Sequence, residues 1–154
     1  MTATTLRRRP SRFGLLGLLS ALLLASCAED PMGPENRFAL IAFGQCSYAQ
    51  ALMLADQAIA KGNADNVERG LMLKAAILRD RGDPEAAEAL YPEIDAAWQA
   101  AKEKPLSESR RQRDIQMFID IAHAERHAKG LDPSCQGNPD SSLGTIEHSA
   151  SANR

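Results

Sequence analysis

Histidine and cysteine are the side chains of this 154-residue sequence best suited to hold a metal or form a covalent link, and there are three of each. His123 and His127 stand four residues apart, with Asp120 three residues before the first of them. That spacing puts all three on one helix face and could offer a metal two or three ligands. The order His-Ala-Glu-Arg-His lacks the glutamate directly after the first histidine that zinc proteases use. Polar residues so spaced are ordinarily the solvated side of an amphipathic helix, so no metal and no cofactor is expected. A phosphate-cradling glycine loop, a nucleophile elbow and a Cys-x-x-Cys pair are missing, and no serine or cysteine has an obvious histidine and carboxylate beside it. The chain is not expected to be an enzyme.

The remaining chemistry lies at Cys27. Residues 1–12 hold Arg7, Arg8, Arg9 and Arg12 and no acid, and Phe13 to Ala25 is an apolar run of thirteen residues, the order of basic and apolar regions in an export signal. Thirteen residues fall short of the roughly 20 that cross a bilayer as a helix. The run ends in Leu24-Ala25-Ser26-Cys27, which resembles the lipobox of bacterial lipoproteins. The resemblance implies a diacylglyceryl group on the Cys27 thiol, joined by a thioether that only cysteine can form. It also implies cleavage by signal peptidase II just before that residue, where small side chains leave the backbone accessible. Residues 1–26 would then be removed, leaving 128 residues held by palmitate-type acyl chains. Two or three such chains, at about 0.8 kcal/mol per buried CH₂, anchor a protein durably. Ala28 follows the cysteine where lipoproteins kept in the inner membrane carry Asp, so the implied location is the outer membrane, facing the periplasm.

An oxidising compartment bears on Cys46 and Cys135, the other two cysteines. An even pair in a small exported domain bridges more often than it stays free, so a Cys46–Cys135 disulfide is predicted. Taking the four leader arginines from the 18 Lys and Arg leaves 14 cations against 20 acids, a net charge of −6 for the mature part. That balance supplies no basic patch for nucleic acid or anionic lipid. The membrane is reached through the acylated Cys27, and no nucleic-acid partner is expected.

The elements that must position these residues are helices. Alanine, leucine, arginine and glutamate abound while only seven residues are aromatic, which points to an all-α class. After the signal peptide of residues 1–26 come the lipidated cysteine and a tether, residues 27–35. Ala28 to Glu35, with two prolines and a glycine, reach at most about 26 Å. A helical domain follows over 36–135, and the Ser-, Asn-, Gly- and Asp-rich residues 136–154 are predicted to be a disordered tail.

Within the domain, Phe38, Leu40, Ile41 and Phe43 form a short apolar segment ending near Gly44. Ser47 with Gln50 reads as a capping box opening a helix whose stripe is Tyr48, Ala51, Leu52, Ala55, Ala58 and Ile59, up to Gly62. Asp65 with Glu68 offers a second box, opening a helix that buries Leu71, Ala75 and Leu78 and ends at Gly82. Asp83 caps a further helix with Pro84 in first position and Ala87, Leu90, Tyr91, Ile94, Ala97, Trp98 and Ala101 on its stripe, which Pro92 should kink. Ser107 caps a last helix that buries Ile115, Phe118, Ile119 and Ala122 and ends by Gly130. Arg110, Arg111 and Arg113 occupy its first turns against the helix dipole, and are read as a solvated face, with compensation by acidic neighbours or an acidic partner as the alternative.

A shift of 36 residues aligns Ala39 with Ala75, Ile41 with Ile77 and Ala51 with Ala87. Residues 68–101 resemble a tetratricopeptide repeat, with Leu71, Ala75, Leu78, Gly82, Ala87 and Tyr91 at its patterned positions. The sequence departs from that pattern at Lys74, where the repeat prefers Leu, at Gln99, where it prefers Pro, and at Pro92 inside the second helix; in the first unit Ala55 replaces the last aromatic. The expected fold is therefore all-α, with helical hairpins in about two tetratricopeptide-like units plus a C-terminal capping helix; a generic helical bundle is the alternative. The resemblances imply a membrane-anchored, periplasm-facing module that binds or assembles an envelope protein partner. A pilotin-like chaperone for a secretion-channel subunit is the second reading, and metal-binding or enzymatic use of the last helix the third. Leu40, Phe43, Met53 and Met72 exceed what the hairpin stripes require, so they are candidates either for the partner surface or for the core.

Overall fold

A computed structural model of the chain describes residues 32–135. The predicted leader, Cys27 and the tail from residue 136 lie outside the described residues.

Capping chemistry sets where each helix begins. Pro34, which lacks an N–H where a helix has no use for one, opens α1 (Pro34–Gly44), two residues inside the segment read as tether. Gly33 before it has φ +76°, and a Cβ there would lie 2.7 Å from the Asn66 side chain, so both conformation and space call for glycine. At the start of α2 (Tyr48–Lys61), Ser47 occupies the cap but its side chain makes no capping bond, so the expected box with Gln50 does not form. For α3 (Ala64–Asp80) the cap is Asn63, whose Oδ1 accepts from Asn66 N at 3.0 Å. Asp65, the residue expected to cap, instead lies in the first turn, where its charge suits the positive end of the helix dipole.

Asp83 caps α4 (Pro84–Ala89) by accepting from Ala86 N at 3.2 Å. The predicted kink is a break: α5 (Tyr91–Lys102) starts anew after Leu90, because Pro92 has no N–H to offer the carbonyl four residues back. Ser107 caps α6 (Glu108–Ala128), accepting from Arg110 N at 3.4 Å. The described residues contain these six helices and no strand, and none of the helices is long and apolar enough to cross a membrane.

Packing follows residue size. Ala51, Ala55 and Ala58 on α2 are buried, as is Gly70 on α3, where an added Cβ would approach Ile59 and the Asn36 amide at 3.1 Å. The sequence pattern puts one face of α3 in the core, namely Leu71, Ala75 and Leu78. In the structure Met72, Leu73, Ala76 and Ile77 are buried as well, because α3 is flanked by α1, α2, α4, α5 and α6. Two hairpins, α1 with α2 and α3 with α4 and α5, thus share a central helix. α6 closes the arrangement by returning to lie on α1 and α3; its backbone does not pack against α5. Asn36 ties the two hairpins at their base, its Nδ2 donating to Met32 O at 3.0 Å and to Asn66 O at 2.8 Å.

The Cys46–Cys135 disulfide is present, with its Cα atoms 5.4 Å apart and both residues buried. It staples the segment after α6 to the turn between α1 and α2. Closing a loop with a sequence separation of 89 residues lowers unfolded-state entropy by an amount worth about 4.6 kcal/mol, in the chain-entropy account.

Candidate functional site

Two clusters of polar side chains stand out, and their chemistry differs. The first centres on Asp80, the last residue of α3. Its Oδ2 accepts from Tyr48 Oη at 2.8 Å and pairs with Arg126 Nη1 at 2.8 Å, while its Oδ1 lies 2.6 Å from His123 Nε2. Arg126 is fully buried, a position its register with Ile115, Phe118 and Ala122 on α6 makes inevitable. Its guanidinium also donates to Phe43 O at 3.0 Å and Pro133 O at 2.5 Å, and its centre lies 5.0 Å from the Phe43 ring centroid. Burial first, and then the hydrogen bond to Asp80, push the Tyr48 phenol up to about 12, so it acts as a neutral donor.

This cluster joins α1, α2, α3, α6 and the segment after α6 a few residues from the disulfide. A histidine oriented by a carboxylate is half of a general-base arrangement, but the hydroxyl in the network belongs to a tyrosine held protonated. Its role is a buried structural clamp. Asp120 meanwhile bonds to Gln116 Nε2 at 2.9 Å, His127 is exposed, and His123 is turned to α3. The three residues weighed as metal ligands are thus not gathered, and among the described residues no group of three His, Cys, Asp or Glu side chains is placed to hold a metal.

The second cluster lines an open cleft of about 320 Å³ where α3, α5 and α6 meet. Helical spacing builds each wall. Glu68, Arg69 and Met72 come from α3, and Trp98 and Lys102 from consecutive turns of α5. The α6 wall carries Arg110 and Asp114 at its first turns, then Met117, Phe118 and Ile121. Met32, where the described chain begins, completes the rim. Met117 and Ile121 are 48% and 42% exposed, and they continue the apolar wall onto the solvent face of α6, where a second, shallower groove shares them.

The arginines read as a solvated face do more than meet water. Arg110 bonds to Asp114 at 3.2 Å with its guanidinium 4.9 Å from the Trp98 ring centroid. Arg111 pairs with Asp95 at 2.7 Å and lies 4.4 Å from the Tyr91 ring centroid. These long side chains bridge α6 to α5 where the backbones stay apart. Arg113 keeps the expected exposure, its side chain 66% accessible.

Polar groups in the cleft are unevenly satisfied. Lys102 pairs with Asp65, a contact that holds the Asp65 carboxyl below its ordinary range. Glu68 is 4% exposed, and burial pushes its carboxyl pKa up, ahead of the opposing influence of Lys102 and Arg69. Trp98 is equally buried, and its Nε1 has no acceptor among the described residues. A buried indole N–H without a partner is uncommon and costs on the order of 1–3 kcal/mol.

The four residues proposed from sequence for partner contact separate. Phe43 is fully buried against Tyr48 and Arg126 and belongs to the core, the second of the two places its sequence left open, because α1 turns that side of its helix inward. Met72 is 2% exposed, a core residue that forms part of the cleft lining. Leu40 is half-buried against the core, and Met53 stands 52% exposed on α2, away from the cleft. Sequence reasoning missed Glu68, Arg69, Trp98 and Met117 as a group. One signal was present: Glu68 shares the face of Leu71, Ala75 and Leu78, and a carboxylate in register with an apolar stripe marks either a buried charge or a site.

Compared with known proteins, the chain matches no family model, and no match was found among the curated proteins or the solved structures.

Proposed function

We propose that this chain is the precursor of a bacterial lipoprotein, held on a membrane by acyl chains on Cys27, whose helical domain binds a protein partner in the cleft between α3, α5 and α6. The observation that carries the binding role is the cleft itself, with Met117 and Ile121 exposed at its mouth and a buried, unpartnered Trp98 N–H among its lining. Apolar surface of this kind, rimmed by charge, is characteristic of interaction sites. The anchor rests on the basic leader, the apolar run and Leu24-Ala25-Ser26-Cys27. Cys27 precedes Met32 by five residues, so the cleft rim lies within about 18 Å of the anchoring thiol and works close to the membrane. Outer-membrane sorting, with the domain in the periplasm, follows from Ala28 after the cysteine.

A narrower form of the same role, a pilotin-like chaperone that escorts a secretion-channel subunit, is favoured by the small all-helical domain closed by a disulfide. Its mark would be a channel subunit that fails to reach the outer membrane when the lipoprotein is absent.

Photo-crosslinking residues at Met117 and Met53, in cells, test the binding role. Adducts with one discrete protein are expected from Met117 and not from Met53. A Cys27→Ser chain, which should take up no labelled palmitate, is expected to lose the Met117 adduct. Equal adducts from both positions, or none from Met117 while palmitate labelling is normal, would remove the cleft from the reading.

A further inference from the structure

We infer that the cleft takes a short apolar segment of the partner in extended conformation, carrying an acidic residue beside it, rather than a helix or an acyl chain. The inference deepens the partner-binding reading and rests on it. Hydrogen-bond complementarity comes first. Trp98 and Glu68 are each 4% exposed and both line the cleft; the indole Nε1 is fully buried with no acceptor, and the Glu68 carboxyl, whose oxygens still reach the open cleft, makes no hydrogen bond or ion pair among the described residues. One group must donate and the other can accept. A peptide unit supplies the complement of both, a carbonyl for the indole and an N–H for the carboxyl.

A helical segment spends those backbone groups on itself except at its ends, and an acyl chain has neither, so an extended stretch is the occupant that satisfies both. The raised carboxyl pKa of Glu68 is consistent with room for such a partner, since burial penalises its charge by more than Lys102 and Arg69 offset.

Charge supplies the second argument. Lys102 is paired with Asp65 and Arg110 with Asp114, whereas Arg69, on the same wall as Glu68, has no carboxylate within ion-pair distance among the described residues. Arg69 acts on Glu68 and Asp65 only through space, so its guanidinium remains open to a direct pair with an acid on the incoming segment. The walls set the rest: Met32, Met72 and Met117 are unbranched thioethers that can repack around different apolar side chains, and about 320 Å³ accommodates only a short stretch.

Trp98 is the only tryptophan in the chain, so indole emission and the indole N–H resonance both report on this one residue. The probe is acetyl-Leu-Ala-Leu-Glu-amide, titrated into the full chain in phosphatidylcholine nanodiscs. Saturable binding with a downfield shift of the indole N–H is expected. Methylating the peptide's backbone nitrogens should weaken binding roughly tenfold, the equivalent of about one lost hydrogen bond. Replacing the glutamate by lysine should weaken binding as well, and Arg69→Glu, at a half-buried rim position, should reverse the preference between the two peptides.

Equal binding of the methylated peptide would overturn the proposal by showing an apolar contact alone. Saturable binding of palmitate with no response to any peptide would also overturn it and make the cleft an acyl-chain site. If every peptide fails to millimolar concentration while Met117 still crosslinks a protein, the partner-binding reading survives and the extended-segment inference falls.

Discussion

At the residue scale, buried charge decides the most. Arg126 and Asp80 are withdrawn from water together, and such a pair holds only while both members are present. Arg126→Met should cost about 3–5 kcal/mol in urea unfolding, because it leaves the Asp80 carboxylate in a mostly buried site with only Tyr48 and His123 beside it. Adding Asp80→Asn should restore much of that loss; a double variant no more stable than the single one would show that packing, and not the charge pair, is responsible. Glu68 works in the opposite sense. Its folded pKa lies above the ordinary value because burial penalises the carboxylate. Below the ordinary carboxyl range both folded and unfolded states are protonated and the group is neutral. As pH rises through that range the unfolded chain ionises first, so stability declines until the folded pKa is passed. Glu68→Gln should therefore be more stable than the parent at neutral pH and no different in acid. A variant less stable at neutral pH would mean that the Glu68 carboxylate is favoured where it lies.

At the element scale, the architecture depends on how segments are stopped and stapled. Pro92 divides what the apolar stripe reads as one helix, and Asn63 displaces Asp65 as a cap, changes of one or two residues that leave the buried faces intact. The disulfide has a longer reach, since it and Arg126 both hold the short segment after α6 against the end of α1. Replacing Cys46 and Cys135 together by serine should lower stability by about 2–5 kcal/mol. Thiol titration of unreduced protein should find neither of these cysteines reactive. Two reactive thiols would exclude the bridge, and an unchanged unfolding midpoint in the serine variant would mean that Arg126 and the core suffice to hold the segment.

At the scale of the whole molecule, what is local in cause was legible in the sequence. Helical periodicity and Asp83 and Ser107 at helix starts follow from side-chain chemistry acting over a few residues, and the pairing of Cys46 with Cys135 from setting Cys27 aside, whereas Pro34, read as tether, is placed at a helix start only by the structure. The Cys27 motif is likewise read from the order of residues alone, and the lipid anchor it implies is a proposal outside the described residues. Tertiary structure alone decided which faces meet. The stripe of α3 marks one inward face, yet five helices pack against α3, so Met72 and Ile77 are buried where their own helix would allow exposure. Phe43 went to the core and Met117 to the surface, although each is an apolar residue on an amphipathic helix. The difference is the return of α6 onto α1 and α3, a packing choice made across more than eighty residues of chain. The same return brings Trp98, Glu68, Arg69 and Met117 around one cleft. No spacing along the chain encodes that gathering, because it depends on three helix axes whose crossing is set by the sum of many small contacts.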